Sequence, residues 1–461
     1  MDNNPLKNLF AVTDLRNRIL FTLALLGVYQ IGGQIPTPGV NIAALAEFAR
    51  QLASNSMFGL YNMFTGNNLS KVTIFALGIM PYISASIILQ LLTVVWPYLE
   101  RLSKEGELGR RKITQYTRYL TVVLAIVQGL SIAVFLERQE AAGFSLVYNP
   151  GWSFRLMAVL TLTTGTAFIM WLGEQITERG VGNGMSLLIF SGIVVGFPSA
   201  ILTTFQQMQT GQIGLIRVIF LVVMMIAVVA AIIYVERAHR RITVQYAKRV
   251  VGRRQYGGSS THIPLKVNTG GVIPVIFASS IIAFPATIAT MYPGGWQQTI
   301  VDQLSMGMPL YNLLYVAGII FFAYFYTAII FNPDDVAENM RKYGGFIPGI
   351  RPGKRTAEYI DTILGRITLV GAIYLAMVAI LPEFLMTGFR VAPIPFIGDQ
   401  LDAALPQWFT QGLGVTFYFG GTSLLIVVGV AMDTVQQIES QLIMRHYDGF
   451  MKKTRIRGRR G

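Results

Sequence analysis

The chain offers little of the side-chain chemistry that binds metals or catalyses reactions. It contains no cysteine and only three histidines, which excludes disulfides, thiolate nucleophiles and cysteine-based zinc sites. The histidines are His239, His262 and His446, and each falls in a polar segment with no second ligand at helical spacing. We therefore expect solvated histidines, no metal site and no cofactor.

The nearest match to a phosphate-binding loop is the glycine-rich run 178–184, ERGVGNG. It lacks the Gly-Lys-Ser/Thr ending and the preceding strand of that motif. This run predicts a tight turn between two helices.

Composition indicates that the elements which position any functional residues are membrane-spanning helices. Of the 461 residues, 53% are hydrophobic and only 13% are charged, whereas a soluble domain carries about 25% charged residues. Apolar runs recur at about the 20-residue length that crosses a bilayer as a helix. We predict an all-α polytopic membrane protein with ten transmembrane helices, at roughly 19–33, 72–96, 119–136, 154–173, 184–204, 215–235, 271–291, 312–331, 363–382 and 412–432.

The central parts of these ten runs contain no Asp, Glu, Lys, Arg or His. Ion-coupled transporters and voltage sensors need ionisable groups at that depth. An intramembrane hydrolase would need acid–base pairs or metal ligands there. The pattern favours a channel with a hydrophobic constriction, which can hold back ions without charges, or a structural scaffold.

The basic residues indicate the orientation of the chain. The N-terminal segment, the even-numbered loops and the C-terminal tail hold 30 of the 37 Lys and Arg residues, which predicts that both termini are cytoplasmic. Loops 236–270 and 332–362 are longer than orientation requires, and turn signals predict a structured hairpin in the second. These loops and the tail are interpreted either as contacts for lipid headgroups or as a docking face for an acidic or RNA-containing partner.

Three segments depart from the pattern of plain spans. Residues 56–69 hold an apolar stretch too short to cross a bilayer, which fits either a re-entrant helix or an ordinary surface helix. Helix breakers lie at Gly78 and Pro81 in the second run, and 270–274 opens the seventh with two glycines and a proline.

Several motifs spread along the chain resemble the SecY family of protein-conducting channels. The matching segments are 62–66 (NMFTG), 74–88 (IFALGIMPYISASII), 171–180 (WLGEQITERG), 264–274 (PLKVNTGGVIP), 346–353 (FIPGIRPG) and 419–428 (FGGTSLLIVV).

The resemblance implies two pseudo-symmetric halves of five helices, 1–205 and 215–435, around an hourglass pore. An external loop, 206–214, would form the hinge, and 436–461 would be a basic cytoplasmic tail. The waist of the pore would be a ring of aliphatic side chains: Ile79, Ile83, Ile189, Ile276 and Ile426. An apolar ring of this kind offers ions no substitute for their hydration.

In the family, the broken segment before the second span is a plug that closes the pore from outside. The resemblance therefore favours a plug helix at about 56–69 over a surface helix. Its apolar residues would be Met57, Phe58, Leu60, Tyr61, Met63 and Phe64. Spans two, three, seven and eight would frame a lateral gate toward lipid.

The resemblance also places Arg253, Arg254 and Arg351 on the two cytoplasmic loops that dock the SecA ATPase or the ribosome. Guanidinium groups suit bidentate pairing with phosphate or carboxylate, so a docking role is favoured over headgroup contact. The implied partners are SecE-type and SecG-type subunits, signal sequences, nascent or preprotein chains, and membrane lipids.

The function implied is the central subunit of the Sec translocase in the bacterial inner membrane, a passive channel and not an enzyme. It would pass unfolded secretory polypeptides and release transmembrane segments into lipid, driven by its partner. A ten-span solute transporter would need coupling groups or a polar substrate site in mid-membrane. A scaffold that binds ribosomes without a pore differs only by lacking the plug and the ring. The external stretch 388–411 is longer than the family pattern and has no assigned role.

Overall fold

The computed structural model describes residues 12–45, 47, 62, 65–141, 144–211, 214–246, 249–251, 254–256, 260–289, 303–305, 307–389, 406–410 and 421–453. Most of these residues are helical. In chain order the helices are α1 (Thr13–Gly32), α2 (Met80–Val95), α3 (Pro97–Lys104), α4 (Glu107–Arg138), α5 (Trp152–Arg179), α6 (Gly184–Val195), α7 (Phe197–Gln209), α8 (Leu215–Glu236), α9 (Ile273–Ala289), α10 (Pro309–Ile330), α11 (Pro333–Lys342), α12 (Lys354–Thr387), α13 (Gln407–Thr410) and α14 (Gly421–Lys453).

Each of the ten predicted runs overlaps one of these helices or helix pairs. Six helical stretches within the described residues are long and apolar enough to cross a membrane: 107–138, 152–179, 184–209, 215–236, 309–342 and 354–382. The pair α2 and α3 makes a seventh if it is counted as one span, and 273–282 is a shorter apolar helix. The chain is a multi-pass, all-α membrane protein, as its hydropathy predicts.

The second predicted span, 72–96, is helical only from Met80 onward. Gly78 has a φ of +55°. This left-handed conformation is incompatible with a regular α-helix, so α2 cannot extend back through Gly78. Pro97 disfavours helical geometry at Trp96, and α3 leaves α2 at an angle of 98°. The predicted run therefore begins about eight residues before regular helix, on the far side of the break at Gly78, and ends within one residue of the end of α2.

Contacts divide the chain into two compact units. Unit 1 comprises Met1–Leu202, Ala283–Asp302 and Val430–Gly461, and unit 2 comprises Thr203–Ile282 and Gln303–Gly429. In unit 1, α4 packs along α5 and α2, while α1 packs on α5 and α6. In unit 2, α12 packs against α8, α10 and α11.

Unit 2 also carries a small antiparallel sheet on its two long loops. The strands of the chain are β1 (Glu140–Ala141), β2 (Phe144–Ser145), β3 (His239–Tyr246), β4 (Arg249–Val251), β5 (Arg254–Tyr256), β6 (Ser260–Lys266) and β7 (Gly345–Phe346). The three-stranded sheet has the order β6-β3-β7, with Ile242 opposite Ile263 and Gln245 opposite Phe346. One of its faces packs on α11 and on the beginning of α12.

The hairpin predicted in 332–362 is wrong. That stretch contains α11, the single short strand β7 and the first residues of α12. Asn332 caps α11 by accepting a hydrogen bond from the Asp334 amide at 3.1 Å, and Pro333 fits the first turn. The turn signals at 344–345 and 351–353 join these elements instead of closing a hairpin.

Candidate functional site

The first part of the site lies in unit 1, where α2 begins. Ile79 is the N-cap residue of α2, and the Ile83 amide donates to the Ile79 carbonyl at 3.1 Å. This i, i+4 bond places both side chains on one helix face. Both are buried, as is Ile189 on α6. These three predicted ring residues are therefore buried on the interior faces of their helices.

Residues 62 and 65–70, in the C-terminal part of the predicted plug segment 56–69, form a hydrogen-bonded polar cluster, which we call the clasp. The Asn68 side-chain amide donates to the Thr65 carbonyl at 2.6 Å. The Tyr29 hydroxyl on α1 donates to the same carbonyl at 3.4 Å. The Ser70 amide donates to the Asn62 side-chain oxygen at 2.9 Å. The clasp thus ties this segment to α1.

The clasp also touches α6 through backbone. Gly66 has a φ of +69°, and a Cβ atom added to it would lie 2.9 Å from the Cα of Gly192. Only glycine at both positions permits this approach. Gly192 lies one turn beyond Ile189, so the clasp is fixed next to a predicted ring residue. The plug residues themselves, Met57, Phe58, Leu60, Tyr61, Met63 and Phe64, lie outside the described residues.

The other two predicted ring residues lie in unit 2. Ile276 on α9 is 4% exposed and Ile426 on α14 is fully buried. Val272, one turn before Ile276, meets Gly429, one turn after Ile426. A Cβ added to Gly429 would lie 2.3 Å from a Val272 methyl carbon. α9 and α14 are therefore in close contact one turn away from each of these isoleucines.

The predicted docking residues lie around the small sheet. Arg351 is exposed in the turn between β7 and α12, where Thr356 donates to its carbonyl at 2.9 Å. Arg254 begins β5, which pairs with β4 in a short ladder. Arg253 falls outside the part of the chain that the structure describes.

The sheet itself rests on an apolar core that the hydropathy pattern does not predict. The buried residues of this core are Ile242, Val244, Leu265, Met340, Ile347 and Ile360. Along β3 the buried residues alternate with the exposed Arg241, Thr243 and Gln245. This period of two is a strand signal, and it is present in the sequence. The two basic loops therefore form one folded element with a polar outer face that includes Arg241.

Other sequence predictions concern chemistry outside this site. His239 and His262 are exposed on the sheet, as predicted; His446 lies in α14. The glycine-rich run 178–184 is the turn between α5 and α6, also as predicted. Among the described residues, no group of three or more His, Cys, Asp or Glu could hold a metal ion.

Comparison with known proteins gives matches over most of the chain. The model of the SecY family matches residues 73–435. The protein translocase subunit SecY of Escherichia coli K12 is 49% identical over 449 residues, which is 96% of each chain. The protein of the same name from Aquifex aeolicus is 44% identical over 450 residues, 97% of this chain and 99% of its own.

Solved structures of low identity share the fold. A protein-conducting channel superposes with a TM-score of 0.62 at 18% identity, covering 92% of both chains. Sec61 in a canine ribosome–channel complex from the endoplasmic reticulum superposes with a TM-score of 0.58 at 17% identity, again over 92% of both chains. An Ssh1 complex bound to the yeast 80S ribosome gives a TM-score of 0.59 at 14% identity, over 97% of this chain and 91% of its own. The family model and the translocase subunits that align along nearly the whole length show that this chain belongs to the SecY family.

Proposed function

We propose that the chain is the channel-forming subunit of a protein translocase. It passes unfolded secretory polypeptides across the membrane and releases transmembrane segments sideways into lipid. The observation that carries this proposal is the alignment with protein translocase subunits at 44–49% identity over 96–97% of the chain. Energy comes from a partner, and the chain acts as a passive conduit and not as an enzyme.

The pore is proposed to run between the halves 1–205 and 215–435, hinged at 206–214. Ile79, Ile83 and Ile189 from one half, with Ile276 and Ile426 from the other, form its waist. Two features support this assignment: all five side chains are buried, and the ten apolar runs lack ionisable residues in their central parts. A polypeptide can pass such an apolar ring, whereas an ion loses its hydration without replacement.

The plug is proposed to be the segment 56–69. Its support is the clasp, which fixes the C-terminal part of this segment to α1 and α6 by hydrogen bonds and by the Gly66–Gly192 contact. A gate needs one end that stays anchored while the rest moves.

The partners are proposed to be the ribosome, the SecA ATPase, and SecE-type and SecG-type subunits, in a bacterial inner membrane with both termini cytoplasmic. The folded sheet of loops 236–270 and 332–362 supports a docking role because Arg240 and Arg241 on the sheet and Arg351 in the following turn are exposed. Two solved relatives of the same fold, Sec61 and Ssh1, are bound to ribosomes.

The proposal is tested by disulfide trapping. Because the chain contains no native cysteine, every disulfide must involve an introduced one. Single cysteines are placed at Ile79, Ile189 or Ile276, and a stalled substrate polypeptide carries one cysteine. We expect disulfides from the ring positions and none from the control Leu156→Cys, an exposed residue of α5. Equal trapping at Leu156, or none at the ring, contradicts a central conduit and supports a scaffold.

A further inference from the structure

Two buried polar side chains link the end of α8 to the start of α9 in unit 2. Glu236, the last residue of α8, is 7% exposed, and Asn268 is 6% exposed. The Asn268 side-chain amide donates to a Glu236 carboxylate oxygen at 2.6 Å and to the Gly271 carbonyl at 3.0 Å. Burying a carboxylate costs free energy, and in some proteins a buried polar group of this kind specifies one conformation.

The geometry fixed here is the first turn of α9. Gly271 has a φ of +56°, so the chain turns sharply at the carbonyl that Asn268 holds. The Ile276 amide donates to the Val272 carbonyl at 3.2 Å, which makes Ile276 part of the turn that follows directly.

The same turn reaches the second ring residue of unit 2. Val272 packs against Gly429 on α14, one turn from Ile426. α12 packs closely against the residue before Asn268. A Cβ atom added to Gly371 of α12 would lie 2.6 Å from the Val267 carbonyl oxygen. The Glu236–Asn268 pair is therefore packed against α12 on one side. On the other side it contacts the start of α9, which in turn contacts α14.

We propose that Glu236 is a positioning residue for the apolar ring. Through Asn268 it fixes the first turn of α9, and through Val272 and Gly429 it fixes the position of α14, so that Ile276 and Ile426 keep the seal. This inference rests on the proposed channel function and adds a residue outside the ring on which the seal depends.

The test is resting ion conductance of the purified protein in planar bilayers. Glu236→Ala and Asn268→Ala should each raise conductance roughly tenfold, because a hydrogen bond to a charged group is equivalent to about one decade or more in an equilibrium. Glu236→Gln keeps an oxygen that accepts from Asn268 and should stay within about twofold of the parent. The double variant should leak no more than either single variant, since both act through one path.

A matched control is Glu137→Ala in unit 1. The Glu137 side chain is 6% exposed and accepts hydrogen bonds from the Gly151 amide at 2.8 Å and from Arg155 at 2.7 Å, and neither of these partners belongs to a turn that carries a proposed ring residue. It should lose thermal stability without leaking. Glu236→Met, of similar volume, replaces the alanine variant if that one fails to fold, and should leak equally.

A variant lacking 57–67 is measured alongside. If that deletion conducts while Glu236→Ala and Glu236→Met stay as silent as the parent, the positioning role is overturned and the channel stands. Equal conductance of Glu137→Ala and Glu236→Ala also overturns the positioning role. It would mean that the loss of any buried hydrogen bond makes the protein leak ions. If the deletion is silent, the channel itself is contradicted and the positioning role falls with it.

Discussion

Arg351 presents its side chain to solvent from the turn before α12, and it makes no ion pair with any residue that the structure describes. Its carbonyl is tied to Thr356, so the backbone of the turn is fixed while the guanidinium is available. An exposed, positioned guanidinium of this kind suits bidentate recognition of phosphate or carboxylate.

Arg351→Glu should reduce partner-driven export strongly while leaving membrane insertion intact. The free energy of unfolding should change by less than about 0.5 kcal/mol, since the side chain is exposed. The measurement is export by purified protein with SecA, or binding of ribosomes. Arg355→Glu, an exposed neighbour in α12, is the matched control for overall charge. Normal export by Arg351→Glu would contradict the docking role.

A polar side chain at Ile83 should loosen the seal of the ring. Ile83→Asn should raise resting conductance and allow export of substrates with defective signal sequences, because water and ions can then solvate the waist. The buried amide should also cost about 1–3 kcal/mol of stability. Ile88→Asn, on an exposed part of the same helix, should leave conductance unchanged. Ile276→Asn is the parallel test in unit 2, and tight, selective channels in both variants would remove these residues from the ring.

At the scale of elements, the two basic loops form a folded sheet that exposes Arg240 and Arg241. Its inner face is the apolar core around Val244, and its outer face carries Arg241 and His262. The charged face is therefore held in place by ordinary core packing between β3, β6 and α11.

Val244→Asp should unfold this sheet, because the side chain is 1% exposed and an unpaired buried carboxylate costs about 3 kcal/mol or more. Thr243→Asp, the next residue on the exposed face, should be tolerated. Limited proteolysis within 236–270 measures the difference. Equal protease resistance of the two variants would show that the core does not hold the loops.

The spans were predictable from sequence because a bilayer demands long apolar runs, and each predicted run overlaps a helix. The bend at Trp96 was also signalled, since Pro97 restricts the residue before it. The sheet was harder to predict: β7 pairs with β3 about 100 positions earlier in the chain, and no local pattern reports such a partner. The basic residues of 236–270 indicate only a cytoplasmic loop.

The candidate site was predictable only in part. An isoleucine in an apolar span has the same local signature at every position, so Ile79 and Ile426 could be singled out only by resemblance to a family. The clasp had a sequence signal in its run of Asn, Thr and Gly, but its contact with Gly192 depends on tertiary packing. The link between Glu236 and Asn268 joins residues 32 positions apart and had no local signal.

At the scale of the whole molecule, the chain combines two compact units, apolar spans without charge at their centres, and one basic folded element. A membrane scaffold would need the apolar spans and the basic element. Buried isoleucines pack the core of any helical protein, whereas a gated conduit requires both a seal and an anchored plug. The central claim is therefore the existence of a closed aqueous pore.

Planar-bilayer conductance of the intact protein and of the protein lacking residues 57–67 tests this claim most directly. The deletion removes most of the proposed plug together with Asn62, Thr65, Gly66 and Asn67 of the clasp, and it leaves residues 68–70 in the chain. A silent intact protein and a deletion variant that conducts ions is the predicted result. If both proteins are silent under the same conditions, there is no plugged pore, and the channel account is contradicted.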